Sequence, residues 1–377
     1  MGEYSTNQKN NLTVLYEIFT TFSKFEKAGF DTRIRRQYDV YSHHFNKVYI
    51  FTAEDKRIDG LPSNIEHIPF PSIPLVEYAY FFLNPIRLFK YHQVKYVEFE
   101  TTAVLQAIFY KLLRKRLFFH LKMDLAKTLA INGKPILGFL AKILQILSLK
   151  IADNVGATTT RLRDEAEKWT RKDKIYLLPN YVDTDLFRPE SNNKEHNLLI
   201  YVGRFHPEKN LKMLIDVMNK LPQYKLAIVG GYGPSKEELY QYASKQRISN
   251  VNFIGPVENE MLPVYLNKAE AFIIASKHEG HPKALIEAMA CGLPCIGTNV
   301  PGIKEVIIDG ETGILCEKTE ESIRTAIVQL LDHTEQMRQM GANARKFAFE
   351  HYSMEKVLNR KLSLIKGEHN RDKSLFQ

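Results

Sequence analysis

Short apolar runs alternate with segments of helical spacing along the second half of the chain. The runs are strand candidates, at Leu198–Val202, Tyr224–Val229, Val251–Ile254, Ala271–Ala275 and Pro294–Thr298. The helix candidates between them are Leu211–Leu221, Lys236–Lys245, Met261–Ala269 and Lys283–Cys291. Strands that are almost wholly apolar are typical of a parallel sheet covered on both faces. We therefore predict a doubly wound α/β domain.

The first half shows the same alternation less regularly. Its strand candidates are Leu12–Phe19, Lys47–Thr52, Lys95–Glu100, Leu117–Lys122 and Asn154–Thr159, and its helix candidates are Thr102–Arg114 and Ile136–Leu149. Prolines and turn formers in LPNYVDTDLFRP, around residues 179–189, indicate a joint between domains. We predict an N-terminal domain at 1–180, a second domain at 181–355, and a C-terminal helix with a polar tail at 356–377.

Composition and charge narrow the class of protein. The chain has 377 residues, 44% of them apolar, and a formal net charge of +9; it is a globular chain long enough for two domains. The basic excess is concentrated in residues 101–150, which hold nine basic side chains and one acid, Asp124. That window matches no nucleic-acid-binding module, so we expect no nucleic-acid partner. A core helix of the first domain or a helix at an anionic membrane surface explains it equally well.

The cysteines and the N-terminal residues bear on the cellular compartment of the protein. Three cysteines make no disulfide framework, which predicts a reducing compartment. The N-terminus lacks a signal-peptide core, and no uncharged apolar run approaches about 20 residues. We expect a cytoplasmic protein, peripheral on the inner face of the plasma membrane if the basic window faces lipid.

The segment SKHEGHPKALIEAMACGLPCIG, residues 276–297, carries the strongest candidate chemistry. Glu279 lies before a predicted helix and Glu287 about one turn inside it, on either side of the free N–H groups of the helix N-terminus. Carboxylates that accept from hydroxyl groups, with an anion-binding terminus between them, suit a nucleotide-sugar. The alternative is that the helix dipole alone favours acids near this terminus.

A second motif, YVGRFHPEKN, follows the strand candidate at Leu198–Val202. Arg204 and Lys209 flank a loop at the carboxyl end of the strand, where ligands bind in such sheets. Two fixed cations there can neutralise a leaving diphosphate. The alternative is a solvated surface loop.

Residues 175–365 resemble the nucleotide-binding half of retaining glycosyltransferases of family four, which have the GT-B fold of two Rossmann-like domains facing each other across a cleft. The resemblance rests on the order of four motifs: Gly203-Arg204-x4-Lys209, the Gly230–Pro234 turn, Gly255–Val257 and Glu279-x7-Glu287. It implies that Glu279, Arg204 and Lys209 are catalytic. The donor-binding residues that it implies are Glu287, Gly203, Gly231, Val257, Gly280, His281, Pro282, Lys283 and Ala284.

The first half departs from the family's pattern. Only Gly29 follows the first strand, where members usually carry a Gly-Gly loop. Many members also have His-Asp after the strand equivalent to Leu117–Lys122. Here Asp124 stands in the Asp position, and His120 lies further back on what would be the same strand face. His120 and Asp124 are therefore acceptor-side candidates, with a packed strand histidine as the alternative for His120.

The resemblance implies transfer of a hexose from a nucleotide-diphosphate sugar, with retention, to a glycan or lipid-linked acceptor in cell-surface polysaccharide or glycolipid synthesis. The base is left open between uracil and guanine, with a UDP-sugar slightly favoured over GDP-mannose. The final helix would return to the first domain. The Asp183-Thr184-Asp185 triplet lies in the interdomain stretch, and the two cations make a metal unnecessary, so we expect no metal and no cofactor. The alternatives are a nucleotide-sugar epimerase of the same fold and a non-catalytic nucleotide-sugar-binding protein.

Overall fold

A computed structural model of the protein describes residues 13–18, 31–53, 59–70, 91–131, 133–190 and 194–368. Contacts divide the chain into two units. One runs to Leu178 and resumes at Leu358, and the other spans Pro179–Val357. The segment after the first strand, which includes Gly29, lies outside the described residues.

The first unit is built on a parallel sheet. Its strands are β1 (Thr13–Ile18), β2 (Lys47–Ala53), β3 (Ile65–Phe70), β4 (Tyr96–Phe99), β5 (Arg116–Leu121), β6 (Asn154–Ala157) and β7 (Ile175–Leu177), in the order β3-β2-β1-β4-β5-β6-β7. Its described helices are α1 (Asp31–His44), α2 (Val104–Leu112), α3 (Leu125–Ile131), α4 (Pro135–Ile151), α5 (Thr160–Glu167) and, from the end of the chain, α13 (Met354–Lys366).

The second unit repeats this topology. Its strands are β8 (Leu198–Gly203), β9 (Lys225–Gly230), β10 (Val251–Gly255), β11 (Ala271–Ile274), β12 (Cys295–Thr298) and β13 (Gly313–Cys316), in the parallel order β10-β9-β8-β11-β12-β13. Its helices are α6 (Leu211–Asn219), α7 (Lys236–Lys245), α8 (Leu262–Lys268), α9 (Lys283–Ala290), α10 (Pro301–Lys304), α11 (Glu320–Leu331) and α12 (Thr334–His351).

Both faces of the second sheet are buried. Along β8, Leu199 and Tyr201 pack into one apolar cluster while Leu198 and Ile200 pack into the other. This is why β8 is apolar at successive positions rather than alternating. The prediction of doubly wound α/β units is confirmed, and every predicted strand is present with its ends shifted by two residues or fewer.

The strand order places the reversal of the second sheet between β8 and β11. In an open parallel sheet, the crevice beyond the carboxyl ends of the strands at such a reversal is where ligands bind. The loops that leave β8 and β11 carry Arg204 and Glu279, so the two strongest sequence motifs meet at this point of the fold.

Candidate functional site

The loops after β8 and β11 are tied together by their backbones. The first contains a short 3-10 turn, Pro207–Lys209, and the second runs from Ile274 to α9. The Lys277 N–H donates to the Glu208 carbonyl over 2.8 Å. This bond brings the side chain at the end of the turn, Lys209, next to the second loop.

Lys209 and Glu279 form an ion pair at this junction. The Lys209 Nζ lies 2.6 Å from Glu279 Oε1, and the Ser276 hydroxyl donates to the same oxygen over 2.7 Å. The two charged side chains are 18% and 8% exposed, which makes this a largely desolvated pair. The Thr298 hydroxyl donates to the Ser276 carbonyl over 2.6 Å and fixes the segment that carries Ser276 and Glu279. Glu279 is thus a positioned anion that already accepts two hydrogen bonds.

Arg204 is placed differently from Lys209. It is exposed at the end of β8 and makes no ion pair with any residue in the described ranges, while its carbonyl accepts from the Tyr201 hydroxyl over 3.2 Å. Burial, and then the charge of Glu279, raises the pKa of Tyr201, so this group stays a neutral donor. Arg204 therefore has an exposed guanidinium that pairs with no described acid, on the same loop as Lys209.

The glycines after β9 allow the next loop to lie against the first. A Cβ at Gly230 would fall 2.0 Å from the Gly203 carbonyl oxygen, and one at Gly233 would fall 2.1 Å from that of Phe205. Both have φ in the left-handed range, +131° and +137°. Gly231 also has a positive φ, +136°, but there is room for a Cβ at this position. The close approach of the two loops thus requires glycine at Gly230 and Gly233, whereas the predicted Gly231 is favoured by its backbone conformation alone. Only the packed structure reveals this difference.

The start of α9 lies between the two carboxylates. Pro282 has an extended backbone before the first helical residue, Lys283, and Glu287 is 4% exposed one turn on. Gly280 is exposed, whereas Lys283, Ala284 and Val257 are partly buried. The N–H groups of the first turn therefore lie close in sequence to a buried carboxylate, an arrangement that suits an anion next to a hydroxyl group.

His281 is held by contacts within the second unit. Its carbonyl accepts from Asn180 Nδ2 over 2.7 Å, and its ring packs edge-on against Tyr352 with centroids 5.3 Å apart. Burial, and then Lys283, lowers the pKa of His281 to about 3. The imidazole is therefore neutral near pH 7, and it supports the loop that carries Glu279 through packing.

His120 belongs to a buried cluster in the first unit. Its Nδ1 lies 3.5 Å from Glu98 Oε1, which Lys361 of α13 contacts at 2.6 Å, and the Tyr41 hydroxyl donates to Glu98 Oε2 over 2.7 Å. Burial favours a higher pKa for Glu98, but Lys361 and His120 outweigh it and hold the pKa well below its usual range. Burial, despite the bond to Glu98, lowers the pKa of His120 to about 4.

Asp124 is not on the strand with His120, so that expectation was wrong. β5 ends at Leu121, and Asp124 instead accepts from the Lys127 N–H over 3.1 Å at the start of α3. The sequence reasoning missed Glu98 and Lys361. The available signal was a carboxylate inside the apolar strand YVEF, since a charge there needs a partner.

The interdomain aspartates make local turn contacts. Asp183 Oδ1 accepts from the N–H groups of Asp185 and Leu186, at 3.0 and 3.1 Å. Across the described ranges, no group of three or more His, Cys, Asp or Glu side chains could hold a metal ion.

Comparison with known proteins identifies the class of the second unit. Residues 182–347 match the family model of glycosyl transferases group 1. The chain is 30% identical over 223 residues to N-acetyl-alpha-D-glucosaminyl L-malate synthase of Bacillus anthracis, covering 55% of this chain and 58% of that protein. It is 33% identical over 185 residues to the O-antigen biosynthesis glycosyltransferase WbnH of Escherichia coli, covering 48% and 52%. The matches thus span little more than half the length of these relatives.

Solved structures share the fold over nearly the whole chain. Sucrose-phosphate synthase from Thermosynechococcus elongatus superposes with a TM-score of 0.78 at 20% identity, covering 95% of this chain and 99% of that one. HepE of Anabaena, in complex with UDP and glucose, gives 0.75 at 16% identity, covering 94% and 99%. The protein has the fold of GT-B glycosyltransferases. The match of residues 182–347 to the model of glycosyl transferases group 1 confirms the resemblance drawn from the motifs.

Proposed function

We propose that this protein transfers a hexose from a nucleotide-diphosphate sugar to a glycan or lipid-linked acceptor, with retention at the anomeric carbon, in the synthesis of cell-surface polysaccharide or glycolipid. The observation that carries the proposal is the Lys209–Glu279 pair beside the exposed Arg204, at the strand reversal of a family-matched unit. This places two cations and a fixed carboxylate where the fold favours a ligand.

The two cations suit the leaving diphosphate. Arg204 is exposed and would contact the phosphates directly, while Lys209 would share its charge between Glu279 and the diphosphate. As the glycosidic bond breaks, negative charge grows on the leaving oxygen, and preorganised cations stabilise that charge. This arrangement does the electrostatic work for which other glycosyltransferases use a metal ion, so we propose transfer without metal or cofactor.

Glu279 suits a positioning role better than a nucleophilic one. Lys209 and Ser276 both contact Oε1, and their hydrogen bonds lower the carboxylate's nucleophilicity. We propose that Glu279 orients the donor sugar near the reacting carbon and that the acceptor attacks from the face the diphosphate leaves. Such a front-face substitution retains configuration through positioning and charge stabilisation.

The nucleoside end of the donor would bind at the other side of α9. We propose that the buried Glu287 accepts from the ribose hydroxyls and that the backbone at Val257 meets the base. A uracil base is favoured, because HepE was solved with UDP-glucose and TarM of S. aureus with UDP. A mannosyltransferase of Mycolicibacterium smegmatis, 29% identical over 213 residues, is named as GDP-mannose-dependent, which makes guanine the competing base.

The acceptor would bind to the first unit. His120 and Asp124 were the sequence candidates, and the contacts of both with their own unit favour shaping the acceptor site over proton transfer. No described helix is long and apolar enough to cross a membrane. We propose that the protein works in the cytoplasm, on the inner face of the plasma membrane.

The deciding experiment is a donor screen with the purified full-length chain. UDP-glucose, UDP-galactose, UDP-N-acetylglucosamine and GDP-mannose are incubated separately, and release of nucleoside diphosphate is followed together with the anomeric proton of the sugar product. We expect UDP from at least one donor, and an α product from an α donor. Arg204→Ala serves as the inactive control. No diphosphate from any donor contradicts the proposal, an inverted product contradicts retention, and a new UDP-sugar without diphosphate release indicates an epimerase.

A further inference from the structure

Helix α4 turns an apolar face to solvent. Ile136, Leu137, Phe139, Leu140 and Ile143 are 78%, 51%, 68%, 50% and 47% exposed. At about 100° per residue these side chains occupy one continuous arc of the helix. Monomeric proteins seldom expose a cluster of this kind without an interaction to serve.

Packing fixes that orientation. The buried residues of α4 lie on the opposite arc: Gly138, Ala141, Gln145, Ser148 and Leu149. A Cβ at Gly138 would fall 2.7 Å from the Ala126 carbonyl oxygen, so α3 lies close against this inner side. The small and polar side chains therefore face the unit and the large apolar ones face outward, which reverses the usual pattern of a surface helix.

Lysines frame the apolar arc. Residues 125–152, which include α3 and α4, contain Lys127, Lys134, Lys142 and Lys150 and no acidic residue. Lys142 lies 3.9 Å from Glu165. The other three are exposed and form no ion pair with a residue that the structure describes. The surface formed by α3 and α4 is thus both apolar and positively charged.

This combination fits lipid better than protein. Protein–protein interfaces are depleted in lysine, and a second copy of the same surface would bring like charges together. An interfacial helix, in contrast, combines buried apolar side chains with lysines that meet anionic headgroups. We propose that the outer face of α4, with Lys127, Lys134 and Lys150 around it, docks on an anionic lipid bilayer, with α4 lying in the plane of the interface.

The proposal deepens the proposed location at the membrane by naming the surface that binds lipid, and it does not depend on the transferase activity. A docked first unit would lie at the surface that holds a lipid-linked acceptor, so the acceptor would not have to leave the bilayer. The side chains involved belong to the first unit, whereas the residues assigned to the donor all lie in the second. Docking and donor chemistry can therefore be tested separately.

The test is co-sedimentation of the full-length protein with vesicles of phosphatidylcholine alone, and of phosphatidylcholine with phosphatidylglycerol. We expect binding only to the anionic vesicles, weakened by 0.5 M salt. Ile136→Asn/Phe139→Asn should lower the partition coefficient by roughly tenfold or more. Lys134→Gln/Lys150→Gln should lower it by about fivefold per lysine. Phe349→Asn, on the second unit at 48% exposure, is the matched control and should bind as the wild type does.

Each other result overturns the proposal. Wild-type protein that stays in the supernatant with anionic vesicles, or apolar variants that bind as tightly as the wild type, would remove the lipid assignment. A wild-type dimer in sedimentation velocity that becomes monomeric in Ile136→Asn/Phe139→Asn, without vesicle binding, would assign the face to a second copy. Donor hydrolysis measured in the same variants should stay at the wild-type rate, so a failure of docking is distinguishable from a failure of the proposed activity.

Discussion

Lys209 and Glu279 are separated by 70 positions in the sequence, yet their side chains meet at 2.6 Å beyond the carboxyl ends of β8 and β11. The pair is largely shielded from water, and the Ser276 hydroxyl donates a further hydrogen bond to Glu279. A buried pair of this kind couples the fold of the second unit to its chemistry, because loss of either partner leaves an uncompensated charge. The structural and the proposed catalytic contributions of the pair can be separated by variants that remove one charge or both.

Lys209→Met should affect both stability and turnover. Glu279 would remain buried with one neutral donor, and we expect a loss of about 3 kcal/mol in the free energy of unfolding. Turnover should fall by about 10²–10³-fold, because a cation next to the leaving diphosphate is lost. Urea unfolding and diphosphate release measure the two effects. Lys212→Met, an exposed position on α6, is the control.

The double variant Lys209→Met/Glu279→Gln separates the two roles. It removes both charges, so it should recover part of the lost stability but none of the lost turnover. Recovery of turnover would show that Lys209 acts only by neutralising Glu279.

Arg204→Ala should lower turnover by at least about 10²-fold and leave the unfolding temperature unchanged. The side chain is exposed and contributes little to packing, so its loss matters only when a diphosphate is present. Steady-state diphosphate release and thermal unfolding are the measurements. Arg338→Ala, exposed on α12, controls for loss of one positive charge. A wild-type rate in Arg204→Ala would remove the phosphate-binding role.

Glu287→Gln should weaken UDP binding by about 10–100-fold, because a charged acceptor of hydroxyl groups contributes roughly 1.5–3 kcal/mol. Gln keeps the shape of this 4% exposed side chain, so the fold should survive. Titration calorimetry with UDP gives the dissociation constant. An unchanged constant in a folded variant would contradict the ribose assignment.

The sequence predicted the parts of the fold that depend on local pattern. Five of the six strands of the second unit, β8 to β12, and the motifs at Arg204 and Glu279 were found because each is contiguous in the chain. β3, β7 and β13 were missed, because β3 contains a histidine and Pro69 in IEHIPF, and β7 and β13 are only three and four residues long. Short or polar strands depend on neighbours that the sequence does not display.

Contacts across the chain could not be predicted in this way. Glu98 and Lys361 are 263 positions apart, and only the return of α13 to the first unit brings them together. Gly302 is another example. It belongs to none of the sequence motifs, yet it lies against the loop that carries Glu279. Such positions follow from packing in three dimensions rather than from spacing.

Gly302→Ala should disturb the donor site from outside it. Gly302 is the second residue of α10 and has ordinary helical backbone, but a Cβ there would fall 2.0 Å from the Gly280 carbonyl oxygen and 2.5 Å from that of Glu279. The loop must shift, and we expect kcat/KM to fall by about tenfold or more, since catalysis is sensitive to displacements of this size. Lys304→Ala, exposed on the same short helix, is the control. Wild-type kinetics in Gly302→Ala would mean that the loop tolerates the shift.

His120 should make the stability of the first unit depend on pH. Its pKa is about 4 in the fold, where burial and the charges of Lys361 and Lys122 oppose protonation, against about 6.5 in an unfolded chain. Between these values the unfolded chain binds a proton that the folded one does not. The stability is therefore present above about pH 6.5 and is lost as the pH falls towards 4. From pH 7 to pH 5 the loss in the free energy of unfolding should be about 2 kcal/mol.

Urea unfolding of the wild type and of His120→Gln at both pH values measures this loss. The control is His43→Gln, at a side chain that is 58% exposed. His120→Gln should flatten the dependence by that amount, whereas a slope equal to that of the wild type would show that other groups set the acid sensitivity.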